Sequence, residues 1–255
     1  MESKSVSLWK PRYLIISHLI LLIATLFCIL PFTAPIAHAI DEGFFIIMNS
    51  SLEWGSWWQV PLAYLNHQNE RMISPLLKIL FNCLCVYSLK PTSRKKAAAQ
   101  FIAFWLLMEL IIPLFSSFIR HVVHIKRLSP TAVYPDALRI GVLTGIAGIR
   151  DYSVVCFVSG HAFVLSFWAG FTYFVAPKRL GQIALSFAFI MSLPRLFVGG
   201  HWLTDVLFGF MFSGVFLSWI LATPLHEVCS NRFVRAFDSI RSIATKLQDK
   251  SKATS

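Results

Sequence analysis

Charged residues are scarce in this chain, 14% of 255 residues against 56% hydrophobic. That balance excludes a soluble domain with one core, because the apolar excess has no polar surface to hide behind and must face something other than protein. Cysteine is sparse as well. Cys28, Cys83, Cys85, Cys156 and Cys229 are odd in number, three of them lie inside apolar runs, and their spacing matches neither a disulfide framework nor a zinc site. A basic stripe interleaved with aromatics is also missing, so the net charge of +11 does not point to a nucleic-acid partner.

What the chain has in quantity is hydrocarbon. Mean hydropathy is +0.65, and apolar runs recur at lengths suited to crossing about 30 Å of lipid, which takes about 20 residues of helix. Lipid offers the backbone no hydrogen-bond partner, so the fold class is all-α, an integral membrane bundle. Six spans are expected, near Tyr13 to Ala34, Ser74 to Leu89, Ala97 to Ile119, Gly160 to Ala176, Gly181 to Val198 and His201 to Ala222. The domain reading is a short N-terminal segment (residues 1–12), a membrane domain (13–222) and a basic tail (223–255). Ala37-His38-Ala39 has the look of a signal-peptidase site, but the apolar stretch before it exceeds the usual 7 to about 15 residues, which favours a retained helix.

Basic residues give the bundle a direction. Lys4, Lys10 and Arg12, the group Lys90 to Lys96, Lys178 with Arg179, and the tail from Arg232 to Lys252 all fall on one side, which the positive-inside rule makes cytoplasmic together with both termini. The segments left on the outer side are about Pro35 to Ile73, Arg120 to Ser159, and Gly199-Gly200. Cations found there against the bias, among them Arg120, Lys126, Arg127 and Arg195, need a counter-charge, and an anionic substrate is one. For Arg139 and Arg150 the simpler expectation is pairing with Glu70, Asp136 or Asp151 or with lipid phosphates. Lys78 and Glu109 fall within spans and read as structural, Lys78 by snorkelling to a span end and Glu109 by protonation or pairing.

The chemistry concentrates in Pro194-Arg195-Leu196-Phe197-Val198-Gly199-Gly200-His201-Trp202-Leu203-Thr204-Asp205. Two glycines let the chain turn. With a helix starting there, His201 and Asp205 stand at i and i+4, where the carboxylate orients one ring nitrogen and leaves the other as a nucleophile. Upstream, Val158-Ser159-Gly160-His161 opens a span. A helix start receives anions on its free N–H groups, Ser159 adds a hydroxyl, Gly160 permits close approach, and His161 can protonate a leaving oxygen. Lys126-Arg127 supplies further cations for phosphate. Such a set can carry out phosphoryl transfer with no metal and no cofactor, since the cations neutralise the developing charge.

These residues resemble the type 2 phosphatidic acid phosphatase family, whose signatures are Lys-x6-Arg-Pro, Pro-Ser-Gly-His and Ser-Arg-x5-His-x3-Asp. The resemblance implies that His201 attacks phosphorus to form a phosphohistidine, His161 protonates the leaving group and Asp205 orients the nucleophile. It also assigns phosphate binding to Arg195 and the Lys126-Arg127 pair. The chain departs from the signatures at Val158, Pro194 and Leu128, and Arg120 stands seven before Arg127, so any of Arg120, Lys126 and Arg127 is open as the phosphate contact. The flanking Lys126 to Thr131, Pro194-Arg195 with Gly200 to Asp205, and Ala222-Thr223-Pro224-Leu225 are similar to a branch that moves phosphate from undecaprenyl diphosphate to lipid A 1-phosphate. That branch works at the periplasmic face of the Gram-negative inner membrane. The implied partners are lipids: a polyprenyl diphosphate, lipid A or a phospholipid. A plain lipid phosphatase shares every catalytic residue, and a non-catalytic transporter or scaffold is the rival from another class.

Overall fold

The computed structural model of the protein describes residues 11–223 and 225–253; Lys4 and Lys10, used above for sidedness, lie outside the described residues. The chain is all-α, and extended pairing among the described residues is confined to an isolated bridge between His67 and Ile149. In chain order the helices are α1 (Pro11–Ile29), α2 (Ala34–Ser50), α3 (Ser56–Leu65), α4 (Glu70–Tyr87), α5 (Pro91–Phe118), α6 (Pro130–Val133), α7 (Ile140–Thr144), α8 (Gly160–Val175), α9 (Lys178–Ser192), α10 (Pro194–Phe197), α11 (Leu203–Ala222) and α12 (Leu225–Ala253). A 3₁₀ turn, Ser51–Trp54, follows α2, and a π turn, Ile119–Val123, ends α5.

Among the described residues, four stretches are long and apolar enough to cross a membrane: Arg12–Ile29, Pro91–Val123, Lys178–Phe197 and Leu203–Ala222. Ile73–Tyr87 and Gly160–Val175 are apolar but shorter. At about 1.5 Å per residue the 16 residues of α8 reach roughly 24 Å, less than the roughly 30 Å of a hydrocarbon core. The protein is therefore a multi-pass membrane bundle, with four candidate full-length spans and two shorter apolar helices among the described residues.

The first span differs from the expected Tyr13 to Ala34. Pro31 lacks the N–H that would continue α1, the chain turns over residues 30–33, and Pro35 starts a separate helix near its N-terminus. Helix α2 then buries one line of residues, Ala37, Asp41, Phe45 and Asn49, spaced four apart. Ala37-His38-Ala39 sits inside this helix.

Helix α8 is the centre of the bundle. Phe163, Phe167 and Phe171 run along it at four-residue spacing, all fully buried, and stack on α5, with ring centroids 4.0 Å apart for both Phe115–Phe163 and Phe104–Phe171. Lipid is as apolar as these rings, so dispersion and close fit rather than hydrophobic transfer hold the helices together. On the other side α8 meets α11 where Gly209 removes a side chain: a Cβ there would lie 2.8 Å from the Ser159 carbonyl oxygen and 3.1 Å from the Phe163 nitrogen. Both neighbours are backbone and cannot rotate away. Gly209→Ala is expected to cost about 1–3 kcal/mol by overpacking and to lower the thermal midpoint of the detergent-solubilised protein by several degrees. An unchanged midpoint would mean that the two helices do not meet this closely.

The three segments assigned to the outer side converge at one end of the bundle. Asn49 donates to the Leu138 and Phe197 carbonyls, Asn66 donates to the Pro194 carbonyl, and the N–H groups of Arg150 and Thr131 donate to the Asn66 and Gly199 carbonyls. Gly199 takes φ +64, which favours glycine, and Gly200 packs so near the Arg150 carbonyl that a Cβ would stand 2.8 Å from it. Arg139 is paired with Asp151 at 3.0 Å, as expected of an outer cation that has its own acid.

The basic tail is a helix: α12 lies along α5, with His226 fully buried, its ring nitrogen 3.2 Å from the Gln100 carbonyl, and Lys95 paired with Asp238. Half-buried Phe233 and Phe237, four apart, give it the apolar face that the count of basic residues concealed. Within the spans, Lys78 is only 5% exposed and so does not snorkel out, and Glu109 stands on the exposed side of α5.

Candidate active site

The site is assembled where the start of α11, the start of α8 and the chain after α5 meet. Helix α11 begins at Leu203, two residues later than the motif suggested, so His201 lies ahead of the helix and Trp202 is its N-cap. The pairing survives for a different reason. Asp205 occupies the third helical position, the one from which a carboxylate reaches back over a helix start, and accepts the Trp202 N–H at 2.9 Å. That return brings Asp205 Oδ2 to 3.6 Å from His201 Nδ1, within ion-pair range though beyond a hydrogen bond. The Arg195 carbonyl accepts the N–H groups of both Gly200 and His201 and so fixes the loop carrying the imidazole. Arg195 itself is 3% exposed.

Asp205 is fully buried and receives a second donor, Arg127 Nη1, at 2.8 Å. The other guanidinium nitrogen of Arg127 donates to Asp41 at 2.5 Å. Asp41, 2% exposed, also accepts the Thr204 N–H at 2.8 Å and the Thr204 hydroxyl at 2.6 Å, and Arg127 Nη1 donates to that same hydroxyl oxygen at 2.7 Å. The guanidinium additionally lies 5.1 Å from the centre of the Trp202 ring. Burial alone would lower the pKa of Arg127, but the Asp205 and Asp41 carboxylates outweigh it and hold the pKa above its ordinary value. The cation is permanent. Its charge is divided between two acids instead of being free for a ligand.

The Lys126-Arg127 pair does not act as one unit. Extended chain sends successive side chains to opposite sides, and while Arg127 turns into the carboxylates, Lys126 lines a cavity between α5 and α8 together with Gly160. Ser159, fully buried, caps α8 by accepting the Ala162 N–H at 3.4 Å, and its own N–H donates to the Asp205 carbonyl, which joins the two helix starts. Gly160 has nothing within 4 Å of where a Cβ would be, so the first turn of α8 is open to an anion. His161 Nε2 is 3.1 Å from the Met191 carbonyl. A carbonyl only accepts, so Nε2 carries a proton and any further proton sits on Nδ1.

Residues 149–227 match the sequence model of the PAP2 superfamily. The PAP2 segment holds Ser159, Gly160, His161, Arg195, His201 and Asp205, while Asp41, Lys126 and Arg127 come from outside it. The chain is also 33% identical over 115 residues to the lipid A 1-diphosphate synthase of Escherichia coli (strain K12); the alignment covers 45% of this chain and 46% of that protein, so the chain spans about half the length of this relative. Among solved structures, a transmembrane PAP2-type phosphatidylglycerolphosphate phosphatase from Bacillus subtilis is 16% identical with a TM-score of 0.45, over 82% of this chain and 94% of that one.

Sequence reasoning missed three participants. Asp41 falls in the outer-side segment from about Pro35 to Ile73, where no motif singles it out, and it is the four-residue spacing of α2 that turns it inward. Thr204 was quoted within the motif but given no role. Cys156 is buried, and its thiol is pushed well above its usual pKa by burial and then by the Asp205 charge, so it stays protonated beside the carboxylate. Cys156 Sγ, His201 Nδ1 and an Asp205 oxygen lie within 4.8 Å of one another, a donor set that suits zinc. Arg127 opposes a cation at that point, since its guanidinium already holds Asp205.

Proposed function

We propose that the chain is a membrane phosphoryl transferase that acts on lipid phosphates through a phosphohistidine on His201. The observation carrying this reading is the ordered series Asp41–Arg127–Asp205–His201. A buried acid oriented by a permanently charged guanidinium directs Nδ1 of the imidazole and leaves Nε2 as the attacking atom. Nε2 attacks the terminal phosphorus of a polyprenyl diphosphate, the bridging P–O bond breaks, and the polyprenyl monophosphate departs with its oxygen protonated from Nδ1 of His161. The Met191 carbonyl stabilises the imidazolium form of His161 through Nε2. Lys126, Arg195 and the Ser159-Gly160 helix start neutralise the phosphoryl oxygens.

The acceptor in this proposal is lipid A 1-phosphate, and the donor undecaprenyl diphosphate. The name of the Escherichia coli relative supports that choice, as do the residues flanking the motifs. The distribution of basic residues supports an inner-membrane setting with cytoplasmic termini and the site on the periplasmic face. Purified protein given undecaprenyl diphosphate labelled in its terminal phosphate tests the assignment. With lipid A present the label is expected on lipid A, and without it the label passes slowly to water. Free phosphate as the product under both conditions would make the protein a lipid phosphatase with the same catalytic residues.

A further inference from the structure

We propose that the cavity between α5 and α8 is a second lipid-phosphate site, which holds the acceptor beside the phosphohistidine. This inference rests on the transferase reading above. The cavity has a volume of about 280 Å³, and its mouth carries Arg120, His124 and Lys126 with no acidic residue in its lining. Its walls are apolar, built from Ile112 of α5 and Phe163 and Val164 of α8. A cationic mouth above an apolar wall, in a protein surrounded by lipid, fits a phosphate that is attached to hydrocarbon better than a free one.

The backbone is shaped to present this mouth. Helix α5 gives way to the π turn Ile119–Val123, a rare geometry that is frequent at functional sites. The next residue, His124, sits in the left-handed region at φ 53, uncommon outside glycine although histidine adopts it more readily than most residues. Its Nδ1 is 3.0 Å from the Arg120 carbonyl, so Nδ1 donates and Nε2 is left as the second hydrogen-bonding atom of the ring. The open first turn of α8 at Gly160 forms the floor.

The cavity is separate from the histidine site but adjoins it. His161, Arg195, His201 and Asp205 are not among its lining residues, whereas Lys126 and Gly160 line it and are each followed in the chain by a residue of the histidine site, Arg127 and His161. Two phosphates held at one helix start are neighbours, as direct transfer between them requires. An anionic oxygen of the acceptor phosphate attacks the phosphorus of phosphohistidine, the P–N bond breaks, and its electron pair returns to Nε2 of His201. No proton is needed, because the acceptor oxygen is already ionised. A hydrolase has no use for such a site, since water is its acceptor.

Full-length protein in detergent tests the site in two ways. By native mass spectrometry, phosphatidic acid is expected to bind at least tenfold more tightly than diacylglycerol or inorganic phosphate, and Arg120→Gln with His124→Gln is expected to reduce that binding about tenfold. Val164→Trp, which narrows the apolar wall, lowers lipid binding and leaves inorganic phosphate binding unchanged. In the labelled-donor assay, His124→Gln lowers transfer to a lipid monophosphate about tenfold and leaves release of phosphate to water as in the parent. Equal loss of transfer and hydrolysis, or undiminished phosphatidic acid binding by the double variant, overturns the proposal. Preferential binding of inorganic phosphate assigns the cavity to a free anion and overturns it too. If the parent protein forms no labelled phosphoenzyme, the transferase reading fails, while the binding measurement still reports on the cavity by itself.

Discussion

His201→Ala is expected to abolish labelled phosphoenzyme and to lower phosphate release and transfer by about 10⁴-fold or more, the scale set by losing the nucleophile of a covalent mechanism. No neighbouring group can replace it. Asp205 is bound to Arg127 and to the Trp202 N–H, and Cys156 is held as a thiol by burial and by the adjacent carboxylate. Asp205→Asn tests the same device from the other side. The amide keeps the shape but would present an N–H₂ group to Arg127, to the Trp202 N–H or to His201, so at least one donor meets a donor. A loss of about 10²–10⁴-fold is expected, by analogy with other oriented imidazoles, with the phosphoenzyme forming slowly instead of vanishing. Acid-labile label on the protein, followed by rapid quench, separates the two variants. If His201→Ala retains phosphoenzyme at the parental rate, another residue is the nucleophile and the proposed mechanism falls.

Much of this was legible in the sequence, and what was not has a common cause. Hydropathy is a property of contiguous residues, so the bundle and the position of its polar end could be read directly. The pairing of His201 with Asp205 was readable because its spacing is short, although the helix beginning at Leu203 gives that pairing a different geometry from two residues on one helical face. Lys126 and Arg127 show the limit. Adjacent in sequence, they look like one phosphate clamp, yet extended backbone turns one toward the cavity and the other toward two acids. The partner that decides the direction of Arg127 is Asp41, 86 positions away. Nothing local to either residue reports that contact, which exists only because Pro31 ends α1 and lets α2 fold back over the start of α11.

That long-range contact carries the second large effect. Asp41→Asn is expected to reduce phosphoryl transfer by about 10²–10³-fold and to destabilise the solubilised protein by roughly 2–3 kcal/mol. Removing one partner of a buried pair costs about 3–5 kcal/mol, and the estimate is lowered here because the Arg127 side chain is 27% exposed. Asparagine can still accept the Thr204 N–H, but only by turning its amide N–H₂ toward Arg127 Nη2 and the Thr204 hydroxyl. Arg127 then places its whole charge on Asp205, draws that carboxylate away from His201, and weakens the orientation of the ring, which lies at 3.6 Å even with the guanidinium shared. A double-mutant cycle distinguishes this from loss of fold. Arg127→Met alone leaves two buried carboxylates without their cation, so Asp41→Asn made in that background is expected to be nearly neutral or stabilising, with a coupling energy above about 1 kcal/mol. Additive effects, or an Asp41→Asn protein with parental activity and midpoint, would mean that Arg127 is held by Asp205 alone and that α2 takes no part in the site.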